Sequence, residues 1–233
     1  MNIVKVGNID VEVTRKNIKN IRLSVYSLDG RVKLSIPENM DDKAAKDFVE
    51  SKLSWIIKQK KKFSLQEKPK EKEYVSGENH YFFGNEYLLN IVETTGKQHV
   101  EIRNNKYMDL YVRPGSTKEK REKIMKEWYR HNLKTIIPGY IEKWEKIMNI
   151  TVKEWGVKQM KTRWGTCNIR DKRIWINLEL AKKNLHCLEY IVVHEMVHLL
   201  ERYHNERFKS YMNKFLPNWE SIRDELNGKN FKK

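Results

Sequence analysis

His194-Glu195-Met196-Val197-His198 sits in an apolar run that opens near Leu188, and His204 follows six residues later. Two histidines at i and i+4 project from one face of an α-helix, so their imidazoles can meet at one point. Neutral imidazole nitrogens suit zinc. Glu195 can stand beside that point without ligating. A carboxylate there serves as general base for a water that the metal activates. His204 cannot share the face of His194 on a straight helix, because ten residues turn it through roughly 1,000° and raise it by about 15 Å. The helix must end and the chain turn back first. Asn205, a candidate N-cap for a new helix, fits that turn. His204 is the expected third ligand, and Glu206 in the next helix is the alternative. Three histidines leave the fourth zinc position to water, as in catalytic sites.

Around this stretch the chain reads as α+β in two parts, a β-rich N-terminal module over residues 1–113 and a helical metal-binding domain over residues 114–233. In the first, Ile21, Leu23 and Val25 alternate with polar neighbours, as do Val32, Leu34 and Ile36, with a hairpin signal at Asp29-Gly30 between them. Residues 42–63 read as one helix capped by Asp41. The charged segment 64–73, with Pro69, reads as a linker. Strand signals return from Tyr74 to Val112, with turns at Gly84-Asn85 and Asn104-Asn105. In the second part, Ser116 and Glu119 suggest a capping box before a long helix. Ile124, Trp128, Ile137, Ile141, Trp144 and Met148 give that helix an apolar stripe, and Pro138 is expected to kink it or start a second. Strands are expected around Val152–Arg163 and Arg173–Leu178, then a metal helix capped by Asn184, a helix from Asn205 to Phe215, and a short final helix after Pro217-Asn218. No internal repeat is legible.

Composition bounds the rest. A chain of 233 residues with 39% apolar side chains and seven tryptophans can bury a core. No run of about 18 apolar residues predicts a membrane span. The N-terminus lacks the apolar core of a signal peptide, and two cysteines, Cys167 and Cys187, are too few for a disulfide framework. These features predict a cytoplasmic protein with no membrane partner. The net charge is +16, arising as +6 from 23 basic and 17 acidic residues in 1–120 and +10 from 24 and 14 in 121–233. It raises DNA association as a possible partnership; a solvated lysine-rich surface is the plainer explanation.

A wider constellation carries a resemblance. Lys161-Thr162-Arg163-Trp164-Gly165-Thr166-Cys167, Ile176-Asn177, His194-Glu195-Met196-Val197-His198, and His204 with Phe208 together resemble the YgjP-like metallopeptidase domain. Asp29-Gly30, the helix containing Trp55, and Ser76-Gly77-Glu78 also match its N-terminal module. The resemblance implies a zincin-like fold, related to the SprT and WLM groups, with predicted zinc hydrolase activity on a protein or peptide. Thr166, Met196 and His186-Cys187 depart from the family pattern without removing a catalytic element. Glu201 occupies the glycine position of the metzincin motif, so that group is not inferred.

The expected activity is hydrolysis of a peptide bond, with Glu195 as base, His194, His198 and His204 on Zn2+, and Arg163 and Trp164 as substrate contacts. Arg163 and Trp164 serve equally as struts for a strand. The strand Arg173–Leu178 is a candidate to pair with an extended substrate. Tyr203 and Tyr211 are candidate oxyanion donors, Glu189 a candidate acceptor for a ligand histidine, and Cys167 a structural thiol. His80, His99, His131 and His186 have no ligand spacing. The alternative function is a nucleic-acid-associated binding protein with a structural zinc.

Overall fold

The computed structural model describes residues 2–26, 29–64 and 71–228. The expected linker around Pro69 lies largely outside them. The fold is α+β, a β-rich N-terminal region followed by helices. By internal contacts the chain divides into Met1–Glu71 and Lys72–Lys233.

The first unit holds β1 (Asn2–Val6), β2 (Ile9–Lys16), β3 (Arg22–Val25) and β4 (Val32–Pro37), then α1 (Asp42–Ser51) and α2 (Leu53–Ser64). The sheet order is β1-β2-β4-β3, with β2 and β4 parallel and the outer pairs antiparallel. Val11, Val13, Val32, Leu34 and Ile36 point to one face and are buried with Ala45, Val49 and Ile56. Asp41 caps α1 by accepting from the Ala44 amide. The single helix expected over 42–63 is broken at Lys52, whose φ of −105° and ψ of 6° leave the helical range.

The second unit holds β5 (Asn79–Phe82), β6 (Asn85–Glu93), β7 (His99–Arg103), β8 (Tyr107–Val112), α3 (Lys118–Met148), β9 (Glu154–Lys158), β10 (Gly165–Asn168), β11 (Arg173–Asn177), α4 (Leu185–Val197), α5 (Glu206–Phe215) and α6 (Trp219–Leu226). Its first four strands were grouped with the N-terminal module on sequence, dividing the chain at 113. In the structure Leu89, Met108, Leu110 and Val112 share a core with α3 and α4, which is why the contact division falls at 71 instead.

α3 runs unbroken through Pro138, neither stopping nor restarting there. Met125, Tyr129, Leu133, Ile137, Ile141, Trp144 and Met148 are all buried along it. Each such side chain contributes about 1.5–3 kcal/mol of burial, which together outweighs the roughly 3 kcal/mol that an interior proline costs. The N-cap is Thr117, not Ser116; the buried Ser116 hydroxyl instead accepts from Arg121 Nε at 3.0 Å.

The β5–β8 sheet has the order β5-β6-β8-β7, with β6 and β8 parallel and the outer pairs antiparallel. This is the topology of β1–β4, at a constant offset of 76 residues. Val11, Val13, Val32, Leu34, Ile36 and Val49 correspond to Tyr87, Leu89, Met108, Leu110, Val112 and Met125, all buried. The helix caps Asp41 and Thr117 obey the same offset, with matching extended backbones. A repeat is therefore present in structure. Only Leu34 and Leu110 are identical among those six pairs, which hid it from the sequence.

The third sheet, β10-β11-β9, supports the site. β11 is its middle strand, antiparallel to β10 and parallel to β9. No helix among the described residues is long and apolar enough to cross a membrane.

Candidate metal centre

α4 is apolar around most of its circumference, and nine of its residues, among them Leu188, Val192, Val193 and Met196, are buried. A helix so buried fixes what little polarity it carries. His194 and Glu195 lie in its last turn and His198 is its C-cap. Asn184 sits at the N-cap position, but its side chain donates to Glu225 at 2.8 Å instead of capping. After His198 the chain leaves the helix, and Asn205 caps α5 by accepting from the Phe208 amide at 3.0 Å. The reversal places His204 Nε2 3.0 Å from His194 Nε2.

Ligand-capable nitrogens of His194, His198 and His204 all lie within 4.8 Å of one another. The Glu201 carbonyl lies 3.2 Å from His198 Nδ1, so that nitrogen carries the proton and Nε2 is left with its lone pair. Burial and the neighbouring imidazoles hold His194 down to about 3, and burial likewise lowers His198. Both rings are thus neutral at pH 7, the form that ligates a metal. The donor set, two Nε2 atoms face to face and a third imidazole beside them, fits zinc. Glu206 is exposed and pairs with Lys209 at 2.6 Å, away from the cluster.

Phe208 was quoted in the sequence pattern without a role. It is 1% exposed, and its ring centroid lies 5.0, 4.8 and 4.6 Å from those of His194, His198 and His204. One aromatic side chain therefore packs against all three imidazoles and fixes their spacing. The signal in sequence was its position three residues after the Asn205 cap.

Glu195 is 5% exposed, and burial pushes its carboxyl up to about 8 against the opposing pull of the Arg163 guanidinium. Gly165, the first residue of β10, lets it sit there. A Cβ at Gly165 would lie 2.6 Å from Glu195 Oε1 and 2.8 Å from its Cγ. Gly165→Ala should therefore displace the carboxylate while sparing the histidines. The expected result is unchanged zinc content with turnover lowered roughly 100-fold, the scale of a misplaced reacting group. Wild-type turnover in a zinc-replete variant would show that the contact does not set the carboxylate's position.

An open cleft of about 430 Å³ joins Glu195 and the three histidines to Arg163, Thr166, Cys167 and Arg202. Burial and the Glu195 charge push the Cys167 thiol up to about 12, so it faces the cleft protonated. Trp164 is absent from this cleft. It borders a separate cavity with Lys182, Lys183 and Asn184, and its Nε1 donates to Asn227 at 3.4 Å. β11 has both edges paired and offers no backbone to a substrate; among the described residues β10 pairs only with β11, and no strand pairs with its other edge. Tyr203 is exposed, and the Tyr211 hydroxyl accepts from Arg207. Glu189 accepts from Lys143 and Trp144 and does not reach a histidine of the triad. His186 does join other polar groups, with Glu225 2.8 Å from its Nε2 and 3.7 Å from Cys187 Sγ, an arrangement that ties α6 to the start of α4.

The YgjP-like metallopeptidase domain model matches residues 19–229. The chain belongs to that family. As a YgjP-like protein it is a metallopeptidase-family member whose matched region includes parts of both compact units. Among solved structures it is similar to the metallopeptidase zymogen of Pyrococcus abyssi abylysin, at 18% identity and a TM-score of 0.38, over 40% of this chain and 93% of that one. Its similarity to the zymogen of Methanocaldococcus jannaschii jannalysin is 18% identity with a TM-score of 0.36, over 40% and 95%. No curated protein matched.

Proposed function

We propose that this YgjP-like protein is a zinc-dependent peptidase in which His194, His198 and His204 hold the metal and Glu195 is the general base. The observation that carries the reading is the convergence of three imidazoles beside one buried acidic side chain, on an open cleft. When bound, zinc supplies Lewis acidity, polarising the substrate carbonyl and acidifying water. Glu195 accepts a proton from the attacking water on a carboxylate oxygen and passes it to the leaving amide nitrogen. Burial raises its proton affinity, which helps it hold the proton between the two steps. The open edge of β10 lies beside these groups and orients an extended peptide by strand addition. Arg163 contacts the substrate from the cleft wall, while Trp164 anchors its strand next to α6 through Asn227.

A structural zinc is the weaker reading. Among the described residues the triad gains no fourth Cys, His, Asp or Glu ligand, and a structural site has no use for Glu195. The test is direct. Protein loaded to about one zinc per chain should cleave an unfolded substrate such as casein, and chelation should stop it. Cleavage that persists after complete removal of zinc would overturn the assignment.

A further inference from the structure

The cleft does not end at the histidines. A second hollow, of about 760 Å³, is lined by Asn168, Ile169, Arg170 and Leu200, and shares Cys167, Ile169, His198 and Arg202 with the first. The two form one groove that follows β10 and its turn toward β11. Three arginines line it: Arg163 and Arg202 at the histidine end, and Arg170 farther along. All three are exposed, and none makes a salt bridge among the described residues. The acidic groups nearby are already committed. Asp171 accepts from Asn168 and Arg173, Glu154 accepts from Arg173, and Glu201 accepts from the Tyr203 amide with Arg207 at 3.9 Å. Among the described residues, the only acidic side chain lining either hollow is that of Glu195.

Resting on the peptidase reading of this site, we propose that the groove selects peptides carrying acidic side chains beside the scissile bond. An extended peptide on the β10 edge sends alternate side chains to one face. Asp or Glu residues there meet guanidiniums held in no salt bridge among the described residues, and a planar guanidinium donates two parallel hydrogen bonds to a carboxylate. Basic peptides meet three like charges and are rejected.

Binding separates this proposal from the peptidase reading. Full-length, zinc-loaded Glu195→Gln protein is titrated with fluorescent extended peptides of one scaffold, bearing Glu, Gln or Lys beside the central bond. The Glu peptide should bind roughly tenfold tighter than the Gln peptide, consistent with two or three partly exposed charge pairs. The Lys peptide should bind weakest, and added salt should narrow the differences. Arg163→Gln/Arg202→Gln should erase the Glu-over-Gln preference. Equal affinity for Glu and Gln peptides, or no binding to any, would overturn the proposal. So would a single-stranded oligonucleotide that binds tighter than the Glu peptide and weakens in the arginine variant, since the occupant would then be nucleic acid. Cleavage by the wild-type protein is scored separately: active protein with no acidic preference retains the peptidase and loses the groove.

Discussion

A His194→Ala/His198→Ala double variant should lose zinc altogether, falling from about one metal per chain to background. Both rings are held neutral by burial, and His204 alone offers one nitrogen, too few for a stable zinc site. The loss should not be an unfolding artefact. Alanine is the best helix former, and α4 keeps its apolar contacts through Leu188, Val192, Val193 and Met196. Some destabilisation is expected, because Phe208 loses two of the three rings against it. Elemental analysis beside a far-ultraviolet circular dichroism spectrum decides the matter. A folded double variant with full zinc would place the metal elsewhere.

Glu195→Gln should do the converse, retaining zinc while turnover falls by about 10²–10⁴-fold, the range for a lost general base. Glutamine has nearly the same shape but cannot accept the water's proton. The substitution should be tolerated in the fold, because a carboxyl pushed up to about 8 by burial already resists ionisation, and a neutral amide spares the site a buried charge. Zinc content and kcat must be read on the same sample. A zinc-replete variant with wild-type kcat would remove Glu195 from the mechanism.

Much of this site could be read from sequence because helical spacing is a strong local rule. The i and i+4 histidines needed only a helix, and the turn before His204 followed from the impossibility of reaching back along a straight one. Gly165 was not legible as a contact. Its closeness to Glu195 joins residues 30 positions apart, and no spacing rule spans β10 and α4. The substrate edge was misplaced for a similar reason. Periodicity finds a strand but not its neighbours, so Arg173–Leu178 gave no sign that β11 would be enclosed on both sides. Pro138 did not start a second helix, because its local cost is set against the seven buried side chains of α3. Lys52 went unremarked because the apolar pattern of α2 continues that of α1 across the break.

The two hydrophobic cores share no residue: one draws on positions from Val6 to Ile56, the other on positions from Tyr87 to Leu226. Mutational damage is therefore not pooled. Truncating Leu34 opens a hole of about 2–5 kcal/mol in the first sheet's own core. The same truncation at its counterpart Leu110 falls on the core that also seats α4. Equivalent positions in the two repeats thus carry unequal risk. Genetic drift in the first copy is charged against its own stability, whereas drift in the second is exposed to selection on the chemistry as well.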